Sequence, residues 1–225
     1  MRLRSVVAGM LLLAACAAVR AESVCHGSVS RGRIDNAVAL PAQGPNFQAY
    51  SQLGVSLGRT YVHSRVRDIV LDAYQASAAA LPGKTFVYGE TGTAQGGPIR
   101  PHRTHQNGLS VDFFVPVTDP AGHSLPLPGS MANKFGYDIE FDAKGRYAGY
   151  AIDFEAIGEH LYQLDLAARR HGSGLALVIF DPPYLPRLFA TRHGAALRGL
   201  HFMQGRAWVR HDEHYHVDFA LPCRP

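Results

Sequence analysis

Two short stretches concentrate the side chains that can do chemistry. Near the C-terminus, Trp208-Val-Arg-His211-Asp-Glu-His214-Tyr-His216-Val-Asp218-Phe219 places three histidines within six residues. About a hundred residues earlier, His102-Arg-Thr-His105-Gln-Asn-Gly108-Leu-Ser110-Val-Asp112-Phe-Phe-Val-Pro116 adds two more, so five of the chain's 12 histidines fall in these segments. Read as a strand with a period of two, the later stretch turns His214, His216 and Asp218 to one face and Tyr215, Val217 and Phe219 to the other. The earlier one turns Ser110, Asp112 and Phe114 to one face, with Leu109, Val111, Phe113 and Val115 opposite. Imidazoles repeated on one strand face make a poor core and a good metal site. Side by side, the two strands offer His105, Asp112 and His216 to one ion.

Zinc in a catalytic site takes three protein ligands and keeps a fourth position for water. In His105-x6-Asp112 a turn at Gly108 reverses the chain and brings both side chains to one point, and His216 completes the set. His214 shares the face of His216 and stands beside the ion, where a general base takes a proton from water and passes it to a leaving amine. His211 or His102 lines the pocket and stabilises an oxyanion. Asp218 orients a histidine, as metal-bound imidazoles require. Other chemistries lack their motifs: there is no His-Glu-x-x-His helix, no Gly-x-Ser-x-Gly elbow and no Walker loop around Gly92, Gly96 and Gly97, and Cys25 and Cys223 lack the setting of a thiol nucleophile.

The elements that position these groups alternate without a parallel βαβ rhythm, which predicts an α+β domain rather than a doubly wound one. Residues 22–46 read as an irregular arm pinned at Cys25. Ser64 caps a helix over 65–80 that Pro82-Gly83 ends, and Thr85–Gly89 is a short strand. Asp153 caps a second helix, closed near Gly172, with Glu155, Glu159, Arg169 and Arg170 on a solvated face. The apolar run Leu175–Phe180 is the expected central strand, and Pro183–Ala190 a short helix. Lys134–Phe141 reads equally as a strand or a substrate-facing loop. The Gly89–Pro101 and Pro120–Pro128 loops are the expected pocket walls.

Arg2 and Arg4 followed by the apolar run from Val6 to Val19 form a secretory signal over residues 1–20, leaving residues 22–225 as one domain. Leu13-Ala-Ala-Cys16 resembles a lipobox, which would lipidate Cys16 as an outer-membrane anchor; the other reading is ordinary cleavage between Ala18 and Ala21. In an oxidising compartment Cys25 and Cys223 either pair as a disulfide or stand as two separate buried thiols. The formal charge is +4, or +2 without Arg2 and Arg4, and the basic residues are scattered, so no nucleic-acid footprint exists.

His102-Arg-Thr-His105-Gln-Asn-Gly108-Leu-Ser-Val-Asp112 together with His211-x-x-His214-Tyr-His216 resembles the penicillin-insensitive murein endopeptidases, within the LAS group of zinc peptidases related to the D-Ala-D-Ala metallopeptidases. The resemblance runs in order from about Tyr61 to Cys223 and is specific at the two histidine motifs. It implies a single domain with a largely antiparallel sheet flanked by helices. It also implies a periplasmic zinc hydrolase that cuts D-alanyl–meso-diaminopimelate cross-links of peptidoglycan. His105, Asp112 and His216 become Zn2+ ligands, His214 the base, His102 and His211 pocket histidines, and Cys25 and Cys223 a disulfide. Pro101 stands where the family has glycine, and Ser110 where it usually has aspartate. Two rival functions share the motifs: a zinc D,D- or L,D-carboxypeptidase of muropeptides, and a non-catalytic zinc- or cell-wall-binding protein.

Overall fold

The computed structural model describes residues 21–205 and 207–225. The signal segment over residues 1–20 and the lipobox at Cys16 lie outside the described residues. Strands β1 (Val24–Ser28) and β2 (Arg31–Asp35) form a hairpin, followed by β3 (Phe47–Ala49), helix α1 (Gln52–Ser56), helix α2 (Ser64–Ala80), β4 (Phe86–Tyr88) and β5 (Ser110–Phe114). After a set of two- and three-residue strands come α3 (Phe154–Arg170), β6 (Leu175–Ile179) and β7 (His214–Phe219).

The main sheet has the order β6-β7-β5-β4-β3, antiparallel throughout except for the parallel pair of β3 and β4. This is the expected α+β architecture. Register sets the chemistry, because His216 lies opposite Asp112 and Asp218 opposite Ser110, while Tyr215 lies opposite Phe113. A slip of one residue would send every one of these groups to the other face.

One face of the sheet is closed by α2 and α3. On α2, Val66, Ile69, Val70, Ala73, Tyr74 and Ser77 are buried, at the three- and four-residue spacing of a helical stripe. On α3 the stripe runs through Ile157, His160, Leu161, Leu164 and Ala168. Tyr74 and Phe113 pack on His160 at ring distances of 5.0 and 4.8 Å, and the Tyr215 hydroxyl lies 2.6 Å from His160 Nδ1. With that face filled by aromatic packing, the histidine face of β5 and β7 is left to the site.

Several expectations need correction. The apolar run from Leu175 forms the edge strand β6; the central strand is β5, whose five residues are all buried. The N-terminal arm is ordered into the β1–β2 hairpin, which reverses at Val29–Ser30, while Gly27 pairs with Gly32 inside the ladder at φ +66°, in the left-handed region glycine favours. His63, not Ser64, caps α2, its Nδ1 accepting from the Arg65 N–H at 3.1 Å. Glu159 is 1% exposed rather than solvated, since Arg192 and His193 fold over it and neutralise its charge. Asp153 does cap α3, accepting from the Ala156 N–H at 3.0 Å.

Cys25 and Cys223 are joined as a disulfide across a separation of 198 residues. The bond is flanked by a backbone seam, with the Gly27 N–H donating to Arg224 O at 2.8 Å and the Arg224 N–H to Cys25 O at 2.9 Å. No helix among the described residues is long and apolar enough to cross a membrane.

Candidate metal centre

Asp112 is the hub. It sits fully buried in the middle of β5, and four imidazoles turn a nitrogen toward its carboxylate. Oδ1 lies 2.8 Å from His216 Nδ1 and 3.2 Å from His105 Nε2. Oδ2 lies 3.6 Å from His102 Nδ1 and 3.8 Å from His214 Nε2. The donors of His102, His105 and Asp112 all fall within 4.8 Å of one another, close enough for one cation. His211 precedes β7 and reaches the cluster through its ring, 4.6 Å from that of His214.

The second nitrogen of each histidine is tied down by the protein. His105 Nδ1–H donates to Thr91 O at 3.2 Å, and His216 Nε2 meets Asp218 Oδ1 at 2.8 Å. His102 Nε2 meets Glu90 Oε2 at 2.7 Å, His214 Nδ1 meets Glu213 Oε1 at 2.7 Å, and His211 Nδ1–H donates to Val209 O at 3.0 Å. Such contacts fix which nitrogen faces inward, and that is what a metal-ligating imidazole needs. The donor set, imidazole nitrogens with one carboxylate, suits zinc.

The charges point the same way. Burial lowers His216, but the Asp218 and Asp112 carboxylates outweigh it and hold the ring up to about 10. Burial would raise Asp112, yet the interactions of its carboxylate with the His105, His214 and His216 imidazoles outweigh it and hold it well below the usual carboxylate range. Between β5 and β7 the fold therefore favours a positive charge. His214 is pushed down by burial to about 4, and His211, by burial and then by His214, to about 3, so both are neutral at pH 7. His102 is raised, because Glu90 and Asp112 outweigh its burial. Burial raises Glu213 well above the carboxylate range, and its Oε1 lies 2.7 Å from His214 Nδ1.

Backbone strain marks the first motif. His105 itself adopts φ +69°, a left-handed conformation that costs a non-glycine residue about 1–2 kcal/mol. Gly108 follows at φ +77°, where an added Cβ would lie 2.8 Å from His63 N. The turn expected at Gly108 is thus required both by conformation and by space. Ser110 donates to Asp218 Oδ1 at 2.6 Å and so props the carboxylate that holds His216.

The cluster opens into a cavity of about 610 Å³. Glu90 and Pro101 of the expected Gly89–Pro101 wall line it, but the Pro120–Pro128 loop does not. The remaining walls are α1, the Met131–Glu140 segment and Trp208–Arg210. Of the two readings left open for Lys134–Phe141, the strand is wrong: the segment is a loop that lines the cavity, with a 3-10 turn over Met131–Gly136.

Sequence reasoning missed Glu90, Glu213 and Tyr137. Glu213 lay in plain sight beside His214, but a strand drawn from Trp208 puts it on the Tyr215 face. In the fold β7 begins only at His214, so Glu213 lies outside the strand's alternation. Glu90 follows the short strand β4, and its carboxylate gathers Arg59, the Tyr50 hydroxyl at 2.8 Å and His102. Nothing in the sequence ties Tyr137 to Asp112.

Residues 25–130 match the family model described as penicillin-insensitive murein endopeptidase. The match includes His102, His105 and Asp112 and ends before β7, so His214 and His216 reach the site through sheet pairing, outside the matched segment. No curated protein matches the chain.

Proposed function

Because the chain belongs to the penicillin-insensitive murein endopeptidase family, a family of metallopeptidases, we propose that it is a zinc-dependent hydrolase of the D-alanyl–meso-diaminopimelate cross-links of peptidoglycan. The observation that carries this reading is the set of four imidazoles with one nitrogen anchored and the other facing a single buried carboxylate. Structural packing needs no such convergence.

His105, Asp112 and His216 are the proposed ligands, since both imidazoles face the same oxygen of Asp112. A zinc ion held there supplies Lewis-acid polarisation of the scissile carbonyl and acidifies water toward neutral pH. His214 serves as the base: it is neutral at pH 7, and with its Nδ1 proton held by Glu213 its Nε2 lone pair faces the centre. The same nitrogen returns the proton to the leaving amine. His102, raised by Glu90 and Asp112 against its burial, is the proposed stabiliser of the oxyanion. His211 suits that role less well, because a neutral ring that donates from Nδ1 to Val209 O has only an acceptor at Nε2. No side-chain nucleophile is acylated in this reading, so the activity is expected to be indifferent to β-lactams.

Charge at the cavity favours an endopeptidase over a carboxypeptidase. A carboxypeptidase needs a free cation for the terminal carboxylate, and among the described residues each Lys or Arg lining the cavity is already paired. Arg59 holds Glu90, Lys134 holds Asp138, and Arg210 holds Glu140, Asp181 and Asp212. The Cys25–Cys223 disulfide supports an oxidising compartment and hence the periplasm. A signal over residues 1–20 ahead of one peptidase domain over 22–225 completes the proposal, and N-terminal sequencing of the exported protein tests it.

The deciding experiment digests purified cross-linked sacculi with the mature protein, with and without a chelator, and reads the muropeptides by mass. Chelator-sensitive conversion of dimers to monomers is expected, with masses that identify the bond. Loss of terminal alanine alone would favour the carboxypeptidase. Bound zinc with unchanged muropeptides, in the wild type and in His214→Ala alike, would favour a binding protein.

A further inference from the structure

The geometry points to Tyr137 as a positioning residue that orients the Asp112 carboxylate for the metal. This inference rests on the reading of Asp112 as a ligand. A phenol has one hydrogen and can accept on its oxygen. The Glu90 backbone N–H, which can only donate, lies 2.8 Å from the Tyr137 oxygen. The single hydroxyl proton is therefore free for the other neighbour, Asp112 Oδ2 at 3.1 Å. Tyr137 is thereby made a donor to Oδ2, and Oδ1 is left to face His105 and His216. Without the hydroxyl, the carboxylate loses its only tyrosine partner and can swing Oδ2 toward His102 and His214.

The chain makes unusual local provision for this contact. Lys134 and Phe135 are consecutive non-glycine residues in the left-handed region, at φ +49° and +60°, followed by Gly136 at φ +114°. These three turn the Met131–Glu140 segment so that Tyr137 points inward. On the opposite side, Gly89 leaves the room the hydroxyl occupies: an added Cβ there would sit 2.5 Å from the Tyr137 oxygen and 2.9 Å from Asp112 Cβ. Real Cβ contacts do not come that close, so glycine at this position and tyrosine at 137 fit as a pair. The Tyr137 ring also packs edge-on against Phe114, His214 and His102 at 4.8, 5.3 and 5.7 Å, so a phenylalanine would keep the packing and remove the hydroxyl alone.

The test compares Tyr137→Phe, Gly89→Ala and Asp112→Asn with wild type in zinc affinity, by competition with a chromophoric chelator, and in the visible spectrum of the cobalt-loaded protein. Tyr137→Phe is expected to bind zinc 10- to 100-fold more weakly, with an altered cobalt spectrum, and to unfold at a somewhat lower midpoint without metal, because the buried Glu90 N–H loses its acceptor. Gly89→Ala, which displaces the hydroxyl without removing it, should show the same spectral change. Wild-type zinc affinity and cobalt spectrum in Tyr137→Phe, with binding abolished in Asp112→Asn, would overturn the role of Tyr137 while leaving the ligand assignment standing. Wild-type affinity in Asp112→Asn as well would overturn the ligand reading on which it depends.

Discussion

Replacing Asp218 by alanine tests whether the sheet face is built to hold His216. Asp218 is 5% exposed, and its Oδ1 takes both His216 Nε2 at 2.8 Å and the Ser110 hydroxyl at 2.6 Å. The substitution strands two buried donors. Each such group costs about 1–3 kcal/mol, so the metal-free protein should lose about 2–6 kcal/mol of stability. His216 also loses the anchor on its outward nitrogen, which should weaken zinc binding by about 10- to 100-fold. Urea denaturation with chelator present isolates the first effect, and chelator competition at neutral pH isolates the second. Asp218→Asn sharpens the comparison, because its amide oxygen still accepts from both donors while the charge is gone. It should recover much of the stability. A loss under about 1 kcal/mol in Asp218→Ala, together with wild-type zinc affinity, would refute the reasoning.

Reducing the Cys25–Cys223 bond opens a loop spanning 198 residues, and chain entropy puts its contribution at about 5 kcal/mol; a Cys25→Ser, Cys223→Ser double variant should show this as a lower urea midpoint, and an unchanged midpoint would assign the stability to the backbone seam alone. His160, buried beneath Tyr215, is pushed by desolvation to about 3. Its folded value lies below that of a free imidazole, so its contribution is intact above about pH 6.5 and is lost as the pH falls toward 3, by about 1.4 kcal/mol per unit. His160→Phe should flatten that slope in denaturation curves taken between pH 7 and pH 4. Gly108→Ala forces a side chain into a left-handed turn against Ile34 and the His63 backbone, and should cost more than about 1 kcal/mol while weakening zinc binding, read by the same chelator competition.

The site was legible in sequence where side-chain alternation decides direction. On β5 and β7 the period of two correctly separated Asp112, His214, His216 and Asp218 from Phe113, Tyr215 and Val217, because both strands pair inside the sheet and have no choice of face. The two long helices were legible for the same reason, through their buried stripes. Alternation could not rank strands: β6 is as apolar as a central strand yet lies at the edge. It was silent on contacts made by loops. Tyr137 and Glu90 reach the centre from irregular backbone, where sequence spacing carries no direction, and Glu159 looks like a surface charge until Arg192 and His193 arrive from a segment 33 and 34 residues away.

The pairing of β5 with β7 also sets when the protein can act. His216 and Asp112 are 104 residues apart, so their strands meet only by closing a long loop, at an entropic cost of about 4 kcal/mol before any contact repays it. A chain made at roughly 5–20 residues per second exposes the first motif about 5–20 seconds before the second is available. During that interval His105 and Asp112 lack His216, and His214, the proposed base, is missing with it. The proposed ligands and base come together only when β5 and β7 pair, and the C-terminal segment that completes this pairing is the one that carries Cys223 to its bond with Cys25.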